Sequence, residues 1–67
     1  MLSSAKVMVV DDSLLMRTII TDIINSDPAL EVIDTAKNGK EALEKILKLK
    51  PDLVTLGIEM PGMDGLQ

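Results

Sequence analysis

The sequence predicts an α/β fold in which a three-stranded parallel sheet, in strand order 2-1-3, is connected by two helices. Three apolar runs of strand length alternate with two stretches of helical periodicity. The first run, KVMVV, is apolar almost throughout, which is typical of a strand buried on both faces of a sheet. Strands that alternate with helices of this length are joined by right-handed crossovers into a parallel sheet.

The first strand is predicted over residues 6–10, and a polar turn follows it directly. Asp11, Asp12 and Ser13 form that turn. Asp12 or Ser13 is expected to cap the first helix, because either side chain can accept hydrogen bonds from the free N–H groups of a helix start.

The first helix is predicted from about Leu14 to Ser26, and Pro28 prevents its continuation. Its apolar residues fall in two adjacent i+4 rows, which predict a broad stripe packed on the sheet. The rows are Leu15, Ile19 and Ile23, and Met16, Ile20 and Ile24. The polar residues, Arg17 among them, are expected largely on the solvated side.

The second half of the chain repeats the pattern. A more polar strand over residues 31–36 is expected nearer a sheet edge. Asn38 is the predicted N-cap of a second helix, with Glu41 three residues later, and the helix extends to about Leu49. Its expected buried stripe comprises Ala42, Leu43, Ile46, Leu47 and Leu49. The third strand is predicted over residues 52–58.

Composition excludes several classes of function. A length of 67 residues allows one small domain or a piece of one, and there is no cysteine or histidine for a disulfide, a thiol nucleophile, the usual zinc site or a histidine base. A net charge of −4 and the absence of aromatic residues disfavour nucleic-acid binding. No apolar run reaches the ~20 residues of a membrane span, and the start does not resemble a secretory signal, so a cytoplasmic protein is expected.

The candidate site lies where strands 1 and 3 end. In open parallel sheets ligands bind at the carboxyl ends of the strands, beside the reversal of strand order. Asp11, Asp12 and a backbone carbonyl near Glu59 would then converge and supply the oxygen ligands that Mg²⁺ prefers. The simpler alternative is that Asp-Asp-Ser serves only as a helix cap.

Taken together, these motifs resemble the receiver domain of two-component response regulators, the CheY-like superfamily. The matching segments are VVDDS at 9–13, MR at 16–17, AKNGKEA at 36–42, KPDLV at 50–54 and MPGMDG at 60–65. Within the family the chain is most similar to the amino-terminal receiver of the chemotaxis methylesterase CheB, and CheY-like single-domain receivers come second. The resemblance implies that residues 1–67 are the amino-terminal part of a single receiver domain, the first half of a flavodoxin-like fold.

The resemblance also assigns roles to individual positions. It implies that Asp11 and Asp12 bind Mg²⁺, with the backbone carbonyl of Glu59 as a further ligand. The family's phosphoacceptor is an aspartate at the end of strand 3, and the matching residue here is Gly57. Glycine offers neither a nucleophile nor a carboxylate, so no aspartyl phosphate can form at position 57 and the Mg²⁺ site should be weakened or lost.

The resemblance implies a partner, and the residues themselves leave alternative functions to weigh. A sensor histidine kinase is the expected partner of the parent protein, and the chain is expected not to be an enzyme, because no methylesterase catalytic domain is present. The third strand would leave an apolar edge exposed, which predicts self-association. The alternative function is an engineered or minimal half-flavodoxin fragment that acts as a self-associating structural module. A Mg²⁺-dependent phosphohydrolase is disfavoured, because Asp11-Asp12-Ser13 lacks the Asp-x-Asp pattern.

Overall fold

The computed structural model describes residues 4–57 and has the predicted α/β topology. Its three strands form one sheet in the order β2-β1-β3, and both strand pairs are parallel. This confirms the predicted fold class and strand order. The elements are β1 (Ala5–Val10), α1 (Leu14–Asn25), β2 (Leu30–Ala36), α2 (Gly39–Leu49) and β3 (Leu53–Leu56).

The central strand β1 forms the core, as its apolar sequence predicts. Its residues from Val7 to Val10 are buried, with at most 1% of each exposed. Val10 pairs with Ala36 on one side and with Leu56 on the other. A strand with neighbours on both edges and a helix on each face requires apolar side chains in both directions.

Helix α1 begins as predicted but packs less of its apolar surface than predicted. The Ser13 side chain caps it by accepting a hydrogen bond from the Met16 N–H at 3.2 Å. Ile20 and Ile24 are half-buried, whereas the row of Leu15, Ile19 and Ile23 is exposed. The prediction of a broad buried stripe is therefore wrong for that row. The helix lies over β1 and β2, and no other described element covers the row of Leu15, Ile19 and Ile23.

Helix α2 is also capped as predicted. The Asn38 side chain accepts from the Glu41 N–H at 2.8 Å, and the Glu41 carboxylate accepts from the Lys37 N–H at 3.1 Å. The helix ends at Leu49, and the residue that follows, Lys50, has a φ of 51° in the left-handed region. Left-handed residues commonly terminate helices in this way.

Only part of the apolar stripe of α2 reaches the core. Ala42 is buried and Ile46 packs partly against a cluster that includes Met8 and Val10. The remaining members of the predicted buried stripe are exposed, which corrects that prediction: Leu43, Leu47 and Leu49. A helix packed on a narrow sheet buries only the residues that face it directly, and the flanking residues need a further neighbour.

Side chains bond backbone groups of the outer strand β2, whereas the outer strand β3 has exposed apolar side chains. On β2, the Val32 N–H donates to the Asn25 side chain at 3.0 Å, and the Thr35 carbonyl accepts from Lys45 Nζ at 2.6 Å. On β3, Leu53 and Leu56 are exposed.

No helix within residues 4–57 is long and apolar enough to cross a membrane.

Candidate acidic site at the ends of β1 and β3

The carboxyl ends of β1 and β3 meet, as the strand order requires. The Gly57 N–H donates to the Val10 carbonyl at 2.8 Å, and on the other side the Asp11 N–H donates to the Ala36 carbonyl at 3.1 Å. Parallel strands in register bring their following residues to one edge of the sheet. The acidic turn after β1 and the end of β3 therefore face each other, as the sequence predicts.

Asp11 is the buried member of the acidic pair, with 5% of its surface exposed. One carboxylate oxygen, Oδ1, accepts a hydrogen bond from the Ser13 N–H at 2.9 Å. Its backbone carbonyl accepts from Arg17 Nη1 at 2.8 Å. A buried carboxylate must be hydrogen-bonded to offset its desolvation, and the turn into α1 provides that bond.

The second carboxylate oxygen of Asp11 lies against Gly57. A Cβ atom built at position 57 would overlap Asp11 Oδ2 and would lie 3.1 Å from Asp11 Cγ. The Asp11 carboxylate thus occupies the space into which a side chain at position 57 would extend. A carboxylate can approach the backbone this closely only where the facing residue has no side chain.

Of the other two predicted metal-site residues, the structure describes only Asp12. Asp12 is exposed, and Glu59 lies outside the described residues, as does the MPGMDG segment at 60–65. Within residues 4–57 no group of three or more acidic, histidine or cysteine side chains is arranged to hold a metal ion. Asp11 and Asp12 fit Mg²⁺ in the type of donor atom, but two carboxylates provide only part of its octahedral ligand set.

Arg17 is a site residue that sequence reasoning missed, since it was expected on the solvated side of α1. It is half-buried, and its hydrogen bond to the Asp11 carbonyl ties the helix to the acidic turn. Beside it lies a cavity of about 200 Å³ that also includes Thr21, whose buried hydroxyl has no partner among the described atoms. The available signal is spacing: position 17 lies one turn into a helix that starts immediately after the acidic pair.

A second polar cluster joins α2 to β2 and is satisfied internally. Lys45 Nζ donates to the Thr35 carbonyl at 2.6 Å and approaches Asp34 Oδ1 at 3.3 Å and Glu41 Oε1 at 3.8 Å. Each charge in this cluster has a partner of opposite sign. The cluster therefore fixes the helix against the outer strand.

Comparison with known proteins places this geometry in context. A family model described as the response regulator receiver domain matches residues 7–67. The chain is 51% identical to a crystal structure of the response regulator domain of Thermotoga maritima CheB, with a TM-score of 0.81, and the match covers 88% of this chain and 44% of that one. It is 42% identical, with a TM-score of 0.76, to a chain in the crystal structure of the P1 domain of CheA3 in complex with CheY6 from R. sphaeroides, covering 96% of this chain and 50% of that one.

Curated relatives are longer than this chain. A protein-glutamate methylesterase/protein-glutamine glutaminase of Aliivibrio fischeri is 64% identical over 61 residues, which is 91% of this chain and 16% of the relative. A protein of the same description from Archaeoglobus fulgidus is 62% identical over 61 residues, covering 91% of this chain and 17% of the relative. The chain thus spans about a sixth of the length of these relatives.

Proposed function

This chain belongs to the response regulator receiver domain family, and we propose that it is a receiver module whose phosphoryl-accepting position is occupied by Gly57. It is a receiver of the CheB-like chemotaxis type. In the proposal, residues 1–67 are the amino-terminal part of one such receiver domain. The chain acts in a phosphorelay through the contacts of its receiver surface and not as a phosphoryl acceptor.

One observation carries this proposal: Gly57 lies at the end of β3, directly against the Asp11 carboxylate. The resemblance implies that position 57 corresponds to the family's reactive aspartate, beside the acidic pair. A nucleophile is required there because phosphoryl transfer to a receiver forms a covalent bond to a carboxylate oxygen. Glycine supplies no such oxygen, so the proposed outcome is a receiver that cannot be phosphorylated at position 57.

We also propose that Asp11 and Asp12, with the backbone carbonyl of Glu59, form a weakened Mg²⁺ site. Mg²⁺, when bound, would offset negative charge next to these carboxylates. Support comes from the two adjacent carboxylates and their oxygen-only chemistry. Paramagnetic Mn²⁺ tests the site. It should broaden the NMR signals of residues 11–13 in the unsubstituted chain, and it should broaden them less in Asp12→Asn. Glu44→Gln, an exposed acidic residue of α2, is the matched control. Equal broadening in all three proteins would contradict the site.

The partner and the parent protein are proposed from the relatives. One structural neighbour comes from a complex that contains the P1 domain of CheA3, and we propose a sensor histidine kinase of that kind as the partner of this chain's parent. The parent is proposed to be a cytoplasmic protein-glutamate methylesterase. The chain itself is proposed to be non-enzymatic, because it corresponds only to the receiver part of such relatives.

A second candidate, a self-associating structural module, is favoured by the exposed apolar side chains of β3. Leu56 is 74% exposed, whereas backbone groups of the opposite outer strand are bonded by side chains. A strand edge without such protection pairs readily with another chain. Sedimentation of Leu56→Lys should shift toward monomer relative to the parent chain, while Leu47→Lys, a 69% exposed leucine of α2, should not. If the unsubstituted chain of 67 residues is folded and strictly monomeric at micromolar concentration, this candidate is refuted.

A further inference from the structure

We infer that a side chain at position 57 and the present rotamer of Asp11 exclude one another, so that the residue at 57 controls how α1 begins. The observation is steric: a Cβ at 57 would overlap Asp11 Oδ2. It does not depend on metal binding or phosphoryl transfer, and it therefore goes beyond the proposed function.

The conflict is confined to the Asp11 carboxylate. The backbone at Gly57 does not lie in the left-handed region, so an L-residue could adopt its conformation. The Cβ of Asp11 would lie 3.8 Å from a Cβ at 57, which is an ordinary van der Waals distance. Truncation of Asp11 to alanine would therefore remove the overlap entirely and leave room for a methyl group at position 57.

Rotation of the Asp11 side chain would remove a hydrogen bond at the start of α1. The same carboxylate accepts from the Ser13 N–H at 2.9 Å, and Ser13 in turn caps the helix through the Met16 N–H at 3.2 Å. If a side chain at 57 displaces the carboxylate, the Ser13 amide loses its acceptor and the cap loses its support. Asp11 is thus a positioning residue that connects the end of β3 to the first turn of α1.

A double-mutant cycle tests the inference. Gly57→Ala should lower the urea midpoint of the chain. In an Asp11→Ala background the same substitution should leave the midpoint unchanged, since the overlap is gone, or raise it, because alanine restricts the unfolded chain more than glycine does. Gly39→Ala is the matched control: nothing lies within 4 Å of a Cβ at position 39, so it should not lower the midpoint in either background.

A second readout reports on the helix start itself. Hydrogen exchange of the Ser13 amide should accelerate roughly five-fold in Gly57→Ala, the scale of one lost hydrogen bond, and should not change in Gly39→Ala. The χ1 couplings of Asp11 should show a new rotamer in Gly57→Ala. If Gly57→Ala fails to fold while the Asp11→Ala/Gly57→Ala variant folds, the inference is supported.

Three results would overturn it. The first is an equal loss of stability from Gly57→Ala in both backgrounds, including a failure to fold in both. The second is a Gly57→Ala chain as stable as its parent. The third is a folded Gly57→Ala chain in which Asp11 keeps its rotamer and the Ser13 amide keeps its protection.

Discussion

Gly57→Asp is the substitution that probes the acidic site most severely. The new Cβ would overlap Asp11 Oδ2, and displacement of that buried carboxylate resembles overpacking, which costs about 1–3 kcal/mol. Two carboxylates about 4 Å apart repel by roughly 4 kcal/mol at an effective dielectric constant near 20. A chain of 67 residues has a free energy of unfolding of about 3–10 kcal/mol, so the metal-free variant should lose most of its stability.

A cation between the carboxylates should reverse much of this loss. At a free Mg²⁺ concentration a hundred-fold above the dissociation constant, binding stabilises the folded state by about 2.7 kcal/mol. Urea unfolding followed by far-ultraviolet circular dichroism, with Mg²⁺ and with EDTA, measures both effects. The Gly57→Asp midpoint should fall below that of the parent chain in EDTA and should rise more steeply with Mg²⁺. Two results would refute the placement of position 57 beside the acidic pair. One is a Gly57→Asp variant as stable as the unsubstituted chain in EDTA, and the other is a Gly57→Asp midpoint that does not change with Mg²⁺.

Two further substitutions test the fold that holds the site. Met8→Ala should lower the free energy of unfolding by about 2–5 kcal/mol, because Met8 is fully buried. Met16→Ala, on an exposed part of α1, should lower it much less, and equal losses measured by urea unfolding would contradict the assigned core. Asn38→Ala should lower the free energy of unfolding by about 1 kcal/mol, because it removes the acceptor of the Glu41 N–H. Asn38→Asp keeps an acceptor and should retain most of the stability. An unchanged urea midpoint in Asn38→Ala would contradict the cap.

Most of the topology could be predicted from the sequence because its signals are local. The apolar run that becomes β1 and the caps at Ser13 and Asn38 each depend on neighbours within a few residues. Alternation of strands and helices then restricts the sheet to a parallel one. The extent of helix burial could not be predicted in this way. Periodicity identified the row containing Leu15 and Ile23 as apolar, but burial depends on which elements lie beside α1.

The candidate site was predictable in outline only. Strand order brings Asp11 to the end of β3, and this follows from topology. The rotamer that directs the Asp11 carboxylate against Gly57 is a side-chain property that spacing does not encode. The bond from Arg17 to the Asp11 carbonyl was missed for a related reason: helical periodicity places a residue on a face, but a long side chain can reach back to the preceding turn.

Intact-mass measurement after incubation with a small phosphodonor and Mg²⁺ tests the central claim most directly. A receiver that carries aspartate at the corresponding position, treated in parallel, establishes that the donor is competent. The unsubstituted chain should keep its unmodified mass, because Gly57 has no side-chain carboxylate to accept the phosphoryl group. A stable gain of one phosphoryl group, mapped to any carboxylate of the site, would show that the chain remains a phosphoryl acceptor and would contradict the account.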